Sequence, residues 1–119
     1  MLISVPELVA KAKASVDTLS AIDAAKRIVN EKETLLLDVR EPEGHKAGSI
    51  EGAVNIPRGT LEMKISSVAS QADHPIIIHC AAGGRAVLAA KALSEMGYKN
   101  IVAVTAGFEE LRTAVADLR

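Results

Sequence analysis

The chain has 119 residues, 49% of them apolar and 24% charged, and a net charge of −1. That balance suits one globular domain with its own core and excludes a disordered chain. With no basic excess and only 2% aromatic residues, the sequence offers neither a field for phosphates nor stacking platforms for bases, so nucleic acid is not an expected partner.

The single cysteine, Cys80, rules out an internal disulfide, a dithiol redox pair and a cysteine-rich zinc site. Three scattered histidines add no metal-binding pattern, and no cofactor or metal is expected. The opening stretch MLISVPELVAKAKASV lacks the apolar block of a signal peptide. No apolar run approaches the roughly 20 residues that span a bilayer. The expectation is a soluble, cytoplasmic protein with no membrane partner.

In chain order, Ser4 and Glu7 form a capping box, and Leu8, Val9, Ala12 and Val16 recur at helical spacing. SVDTLS suggests a short edge strand. A second helix starts at Ser20, with Ile22, Ala25, Ile28 and Val29 as its apolar stripe and Asn30 as its stop. TLLLDVR, Thr34 to Arg40, reads as a strand buried on both faces. EPEGHKAGSIEG reads as a loop, AVNIP as a short strand and TLEMKISSVAS as a helix. PIIIHC is a further buried strand. RAVLAAKALSEMG is the clearest helix, carried by Ala86, Ala89, Ala90 and Leu93 and ended by Gly97. NIVAVT is a strand and GFEELRTAVADL the last helix. Strands alternating with helices imply an α/β fold with a parallel sheet covered on both sides. Residues 1–17 are read as an extra helix packed on a domain running from 18 to 119.

Cys80 lies where an open α/β sheet binds ligands, just beyond the carboxyl end of a strand. The helix after it begins near Gly83 to Arg85, and first-turn amides without intrahelical partners favour an anion. Small residues at Ala81, Ala82, Gly83 and Gly84 let the backbone curl around the sulfur, and Arg85 can add positive charge. A free cysteine is most often a small buried hydrophobe. Its place before a Gly-Gly turn and an arginine points instead to a nucleophile, whose reactive form is the thiolate.

Around this loop, LLLDVREPEGHKAGSIEGAVNIP and IIIHCAAGGRAVLAAKALSEMGYKNIVAVTAGF together resemble a single-domain rhodanese, a thiosulfate sulfurtransferase. The resemblance runs from about Thr18 to Ala116. It implies a five-stranded parallel sheet with helices on both faces and a six-residue active loop from Cys80 to Arg85, with Cys80 carrying a persulfide. A sulfane sulfur would pass from thiosulfate or a persulfide to cyanide, a small thiol or a protein thiol. Departures lie outside the loop: Gly48-Ser49-Ile50-Glu51-Gly52-Ala53, and Ala106-Gly107-Phe108 near the end. They bear on partner and substrate.

Asp38 is expected to face the site or to anchor loops, Arg40 to pair with an acid of the next loop, and Arg58 to reach the rim or lie on the surface. His79 should face away from Cys80 and pack with a hydrogen bond. His45 and His74 read as solvated, and Met63 and Met96 as core fillers. Two alternatives stand beside the transferase: a phosphatase, whose related loop is one residue longer than Cys80-x4-Arg85, and a non-catalytic or sulfur-relay module.

Overall fold

A computed structural model describes all 119 residues. Its elements are α1 (Val5–Lys13), β1 (Thr18–Leu19), α2 (Ala21–Asn30), β2 (Leu35–Asp38), α3 (Pro42–Ala47), β3 (Val54–Asn55), α4 (Leu61–Lys64), β4 (Ile76–His79), α5 (Gly84–Glu95), β5 (Ile101–Val104) and α6 (Phe108–Leu118). The five strands form one sheet in the order β1-β5-β4-β2-β3. Every pairing is parallel.

β4 explains the two-sided core. Ile76, Ile77 and Ile78 are all fully buried, because side chains alternate across a strand and helices cover both faces. Ile76, Ile78 and Cys80 point into one cluster with Leu37, Leu61, Ala86 and Ala90. Ile77 points into the other, with Ala24, Ala25, Phe108 and Leu111. Thus α1, α4 and α5 lie on one face and α2 and α6 on the other.

The helix ends follow their sequence signals. Ser4 Oγ accepts the Glu7 amide at 3.2 Å while Glu7 reaches back to the Ser4 amide, completing a capping box. Ser20 Oγ caps α2 through the Asp23 amide. α5 is closed two residues beyond Glu95 by Gly97, where φ is +105° and the Tyr98 amide returns to the Leu93 carbonyl, a Schellman closure. Ala86, Ala89, Ala90 and Leu93 are buried, as the spacing predicts.

Elsewhere the structure differs from the sequence reading. EPEGHKAG is not all loop: Pro42 starts α3, its fixed φ suiting a first helical position. The expected helix over TLEMKISSVAS is one α turn between two 3-10 turns. On α2 the buried residues are Ala21, Ala24 and Ala25, and Ile22 stays 63% exposed. The small alanines let α2 approach α6 closely. Met63 and Met96 are exposed rather than core fillers.

Candidate functional site

Cys80 follows the last residue of β4, and the chain turns over Ala81 and Ala82 into α5. Gly83 makes the turn with φ +99°. Its amide then points at the sulfur, 3.1 Å from Cys80 Sγ, and the Ala86 amide approaches the same atom at 3.3 Å. Two main-chain donors at the positive end of α5 therefore face one sulfur. Such donors can hold an anionic group at this point. The neighbouring β5–α6 connection holds the loop in place, since the Phe108 amide donates to the Ala81 carbonyl at 3.0 Å.

Cys80 is buried as a residue but borders a cavity of about 360 Å³. Val5 and Val9 of α1 form one wall, and Leu88 of α5 and the Cys80 loop form the other. Arg85 is exposed and is the one charged residue in the lining. A larger cavity of about 550 Å³ lies between α2 and α6 on the other face of the sheet. Its lining holds no cysteine or histidine, so size alone points away from the chemistry.

The structure sets the three candidate rim or supporting residues, Asp38, Arg40 and Arg58, away from the cavity. Asp38 is in register with His79, so its side chain leaves the sheet on the face opposite Cys80. There it accepts from the Arg40 amide at 3.0 Å, from Arg40 Nη2 at 2.8 Å and from His45 Nδ1 at 2.9 Å. Burial alone would raise the Asp38 carboxyl. The hydrogen bonds from Arg40 and His45 outweigh it and hold the group below its ordinary range. Arg40 pairs with this preceding carboxylate and not with an acid of the following loop. It also donates to the Gly48 carbonyl at 2.7 Å and lies over the Phe108 ring, its Cζ 4.0 Å from the centroid. Arg58 pairs with Glu62 at 2.9 Å and does not line the cavity.

These residues form an anchor. Asn55 Nδ2 donates to the Asp38 and Arg40 carbonyls, joining the strand that follows to the end of β2. His45 is thereby half-buried, against the expectation of a solvated side chain. His79 faces away from Cys80 and stacks on Phe108 with centroids 5.9 Å apart. The expected hydrogen bond is missing, and neither ring nitrogen has a partner. Burial, assisted by the Arg40 charge, outweighs the pull of Asp38 and lowers His79 to about 4.

Val5, Val9, Leu88 and Phe108 escaped the sequence reading of the site. Leu88 was findable, one turn beyond Gly84 on the same helix. Nothing local to α1 says which helix it opposes.

The rhodanese-like domain family matches residues 21–114. A Schizosaccharomyces pombe protein called putative thiosulfate sulfurtransferase, mitochondrial, is 35% identical over 88 residues, covering 65% of this chain and 62% of that protein. A Bacillus subtilis protein called putative sulfur carrier protein YrkF is 32% identical over 91 residues, covering 76% of this chain and 48% of its own. The chain thus spans less than two thirds of either relative. A Rhodopseudomonas palustris structure, described as a protein of unknown function and possible tyrosine phosphatase, superposes with a TM-score of 0.83 at 27% identity, over 96% of this chain and 92% of that one.

Proposed function

This chain belongs to the rhodanese-like domain family, a family of sulfur transfer, and from that membership we propose that it is a sulfurtransferase working through a persulfide on Cys80. The observation that carries the reading is the pair of amides, from Gly83 and Ala86, aimed at Cys80 Sγ.

The transfer takes two half-reactions. The Cys80 thiolate, its proton lost to solvent, attacks the outer sulfur of thiosulfate. A new S–S bond forms at Sγ, the old one breaks, and its electron pair leaves with sulfite. The Cys80 persulfide anion then yields its outer sulfur to cyanide, giving thiocyanate, or to a thiolate, giving a new persulfide. The pair returns to Cys80, and there is no net redox change. The loop amides hold the sulfur anion throughout. The exposed Arg85 draws the anionic donor towards the cavity. Donors and acceptors are small sulfur compounds or a protein thiol, and the reaction uses no metal or cofactor. No helix is long and apolar enough to cross a membrane, and we place the protein in the cytoplasm as part of this reading.

The test is incubation with thiosulfate followed by intact mass measurement. A gain of one sulfur on wild type, removed by cyanide and lost in Cys80→Ser, is the expected result. No gain on a fully reactive thiol would sink the proposal. The sulfur-carrier relative supports a second reading, a relay module. It predicts a sulfur adduct that passes to a protein thiol but not to cyanide. Hydrolysis of an aryl phosphate dependent on Cys80 would instead favour a phosphatase.

A further inference from the structure

The cavity beside Cys80 has an unusual wall for a site that handles small anions. α1 packs against α5, bringing a Val9 methyl within 3.7 Å of where a Cβ on Gly84 would stand, at the head of α5. Val5 sits one turn earlier on the same side of α1, and Leu88 faces them from α5. The start of α1 is fixed by the Ser4–Glu7 capping box and by Pro6 in its first turn, so this wall is held by the fold. Val5 nevertheless remains 68% exposed, and Leu8 43%, so apolar surface continues out of the cavity.

Charge in the cavity is sparse. Arg85 is its one cation; Arg40 is committed to Asp38 and Arg58 to Glu62. A volume of about 360 Å³ exceeds what a five-atom dianion needs and falls among the ~300–1,000 Å³ pockets of organic ligands. Thiosulfate would leave the valine wall wet. A donor whose sulfane sulfur hangs on a carbon chain would cover it.

We propose that Val5 and Val9 of α1 are specificity-determining residues, which select sulfane sulfur carried on an apolar carbon group: an alkyl persulfide, R–S–SH. This rests on Cys80 being the sulfur acceptor. The Cys80 thiolate attacks the outer sulfur of R–S–SH and the S–S bond breaks. The inner sulfur keeps that bond's electron pair, takes up the proton the outer sulfur gives up, and leaves as R–SH, while the outer sulfur stays on Cys80 as the persulfide anion. The chain R lies along Val5, Val9 and Leu88 while the outer sulfur stays at the Gly83 and Ala86 amides.

The experiment compares ethyl persulfide, hexyl persulfide and thiosulfate as donors to the whole chain, reading the rate of one-sulfur gain on Cys80 by intact mass. Burying part of four extra methylenes predicts a hexyl over ethyl preference of about tenfold or more in second-order rate. This arm needs no variant. In the Val5→Ser/Val9→Thr protein, which keeps side-chain size nearly constant at Val9 and puts a tolerated polar residue at the start of α1, the hexyl over ethyl ratio falls several-fold towards unity. Equal rates from ethyl and hexyl persulfide in wild type, or an unchanged ratio in the double variant, overturn the proposal while leaving sulfur transfer standing. No Cys80-dependent gain from any of the three donors overturns the transferase reading, and this proposal with it.

Discussion

A methyl group on Gly83 would stand 2.6 Å from the carbonyl oxygen of Thr105, closer than real Cβ atoms come to anything. The Cys80 loop is thus pressed against the end of β5, and the left-handed φ of +99° at Gly83 turns its amide onto the sulfur. Gly83→Ala meets both a conformational cost of roughly 1–2 kcal/mol and a backbone collision that only movement of the loop relieves. We expect a stability loss of about 3 kcal/mol in urea unfolding and sulfur loading at least about tenfold slower, as the amide leaves Sγ. Gly97→Ala is the control. Its φ is also positive, +105°, but nothing lies within 4 Å, so only the conformational cost of roughly 1–2 kcal/mol should be lost and loading should hold. Equal losses in the two variants would show that the Thr105 contact does not shape the loop.

Replacing the sulfur separates its structural from its chemical role. Cys80→Ser keeps an acceptor for the Gly83 and Ala86 amides; Cys80→Ala leaves both without one. Both variants should lose sulfur loading entirely. Cys80→Ala should also lose roughly 1–3 kcal/mol relative to Cys80→Ser, the cost of buried unpaired donors. Indistinguishable unfolding midpoints would mean that the amides find water or another acceptor.

The anchor on the other face makes a different prediction. Asp38 is fully buried and holds Arg40 and His45. Asp38→Asn leaves the Arg40 guanidinium without its carboxylate, and removing one partner of a buried pair costs about 3–5 kcal/mol. The companion change Asp38→Asn/Arg40→Met should recover part of that loss. Sulfur loading per folded molecule should change little in either protein, because the carboxylate points away from the cavity. A loading defect larger than the unfolded fraction explains would place Asp38 in the reaction.

Much of this arrangement is written locally in the chain. The isoleucine run before Cys80, the Gly-Gly turn and the alanine stripe of α5 are neighbours in sequence and in space, so strand, loop and helix could be read together. The capping residues Ser4 and Ser20 act within three positions and were legible for the same reason. What escaped depends on contacts between distant segments. Which way Asp38 leaves β2 follows from its register with His79, and that register is a pairing across some forty residues. The partners of Arg40 and His45 depend in turn on that choice. Val9 at the cavity is a packing of α1 on α5, to which no spacing within α1 testifies. Met63 and Met96 face water, which hydrophobic character alone does not reveal for a short helix or a helix end.

His79 gives the fold an acid-side weakness. Its imidazole is buried against Phe108, both nitrogens lack partners, and its pKa is lowered from 6.5 to about 4. A histidine depressed in the folded state stays neutral there while the unfolded chain takes up a proton. Its contribution is therefore complete above 6.5, drains away as the pH falls from 6.5 to about 4, and is exhausted below that. At 1.36 kcal/mol per pH unit the shift corresponds to on the order of 3 kcal/mol. Asp38, held below its ordinary 3.8, adds a second loss only at still lower pH, once its carboxyl is protonated and Arg40 loses its partner. Urea midpoints measured between about pH 7 and pH 4.5 should fall for wild type and much less for His79→Leu, which also sheds two unpartnered nitrogens and should be no less stable than wild type at the upper end. A fall of the same size in both proteins would assign the acid sensitivity to other groups and leave His79 a passive part of the stack on Phe108.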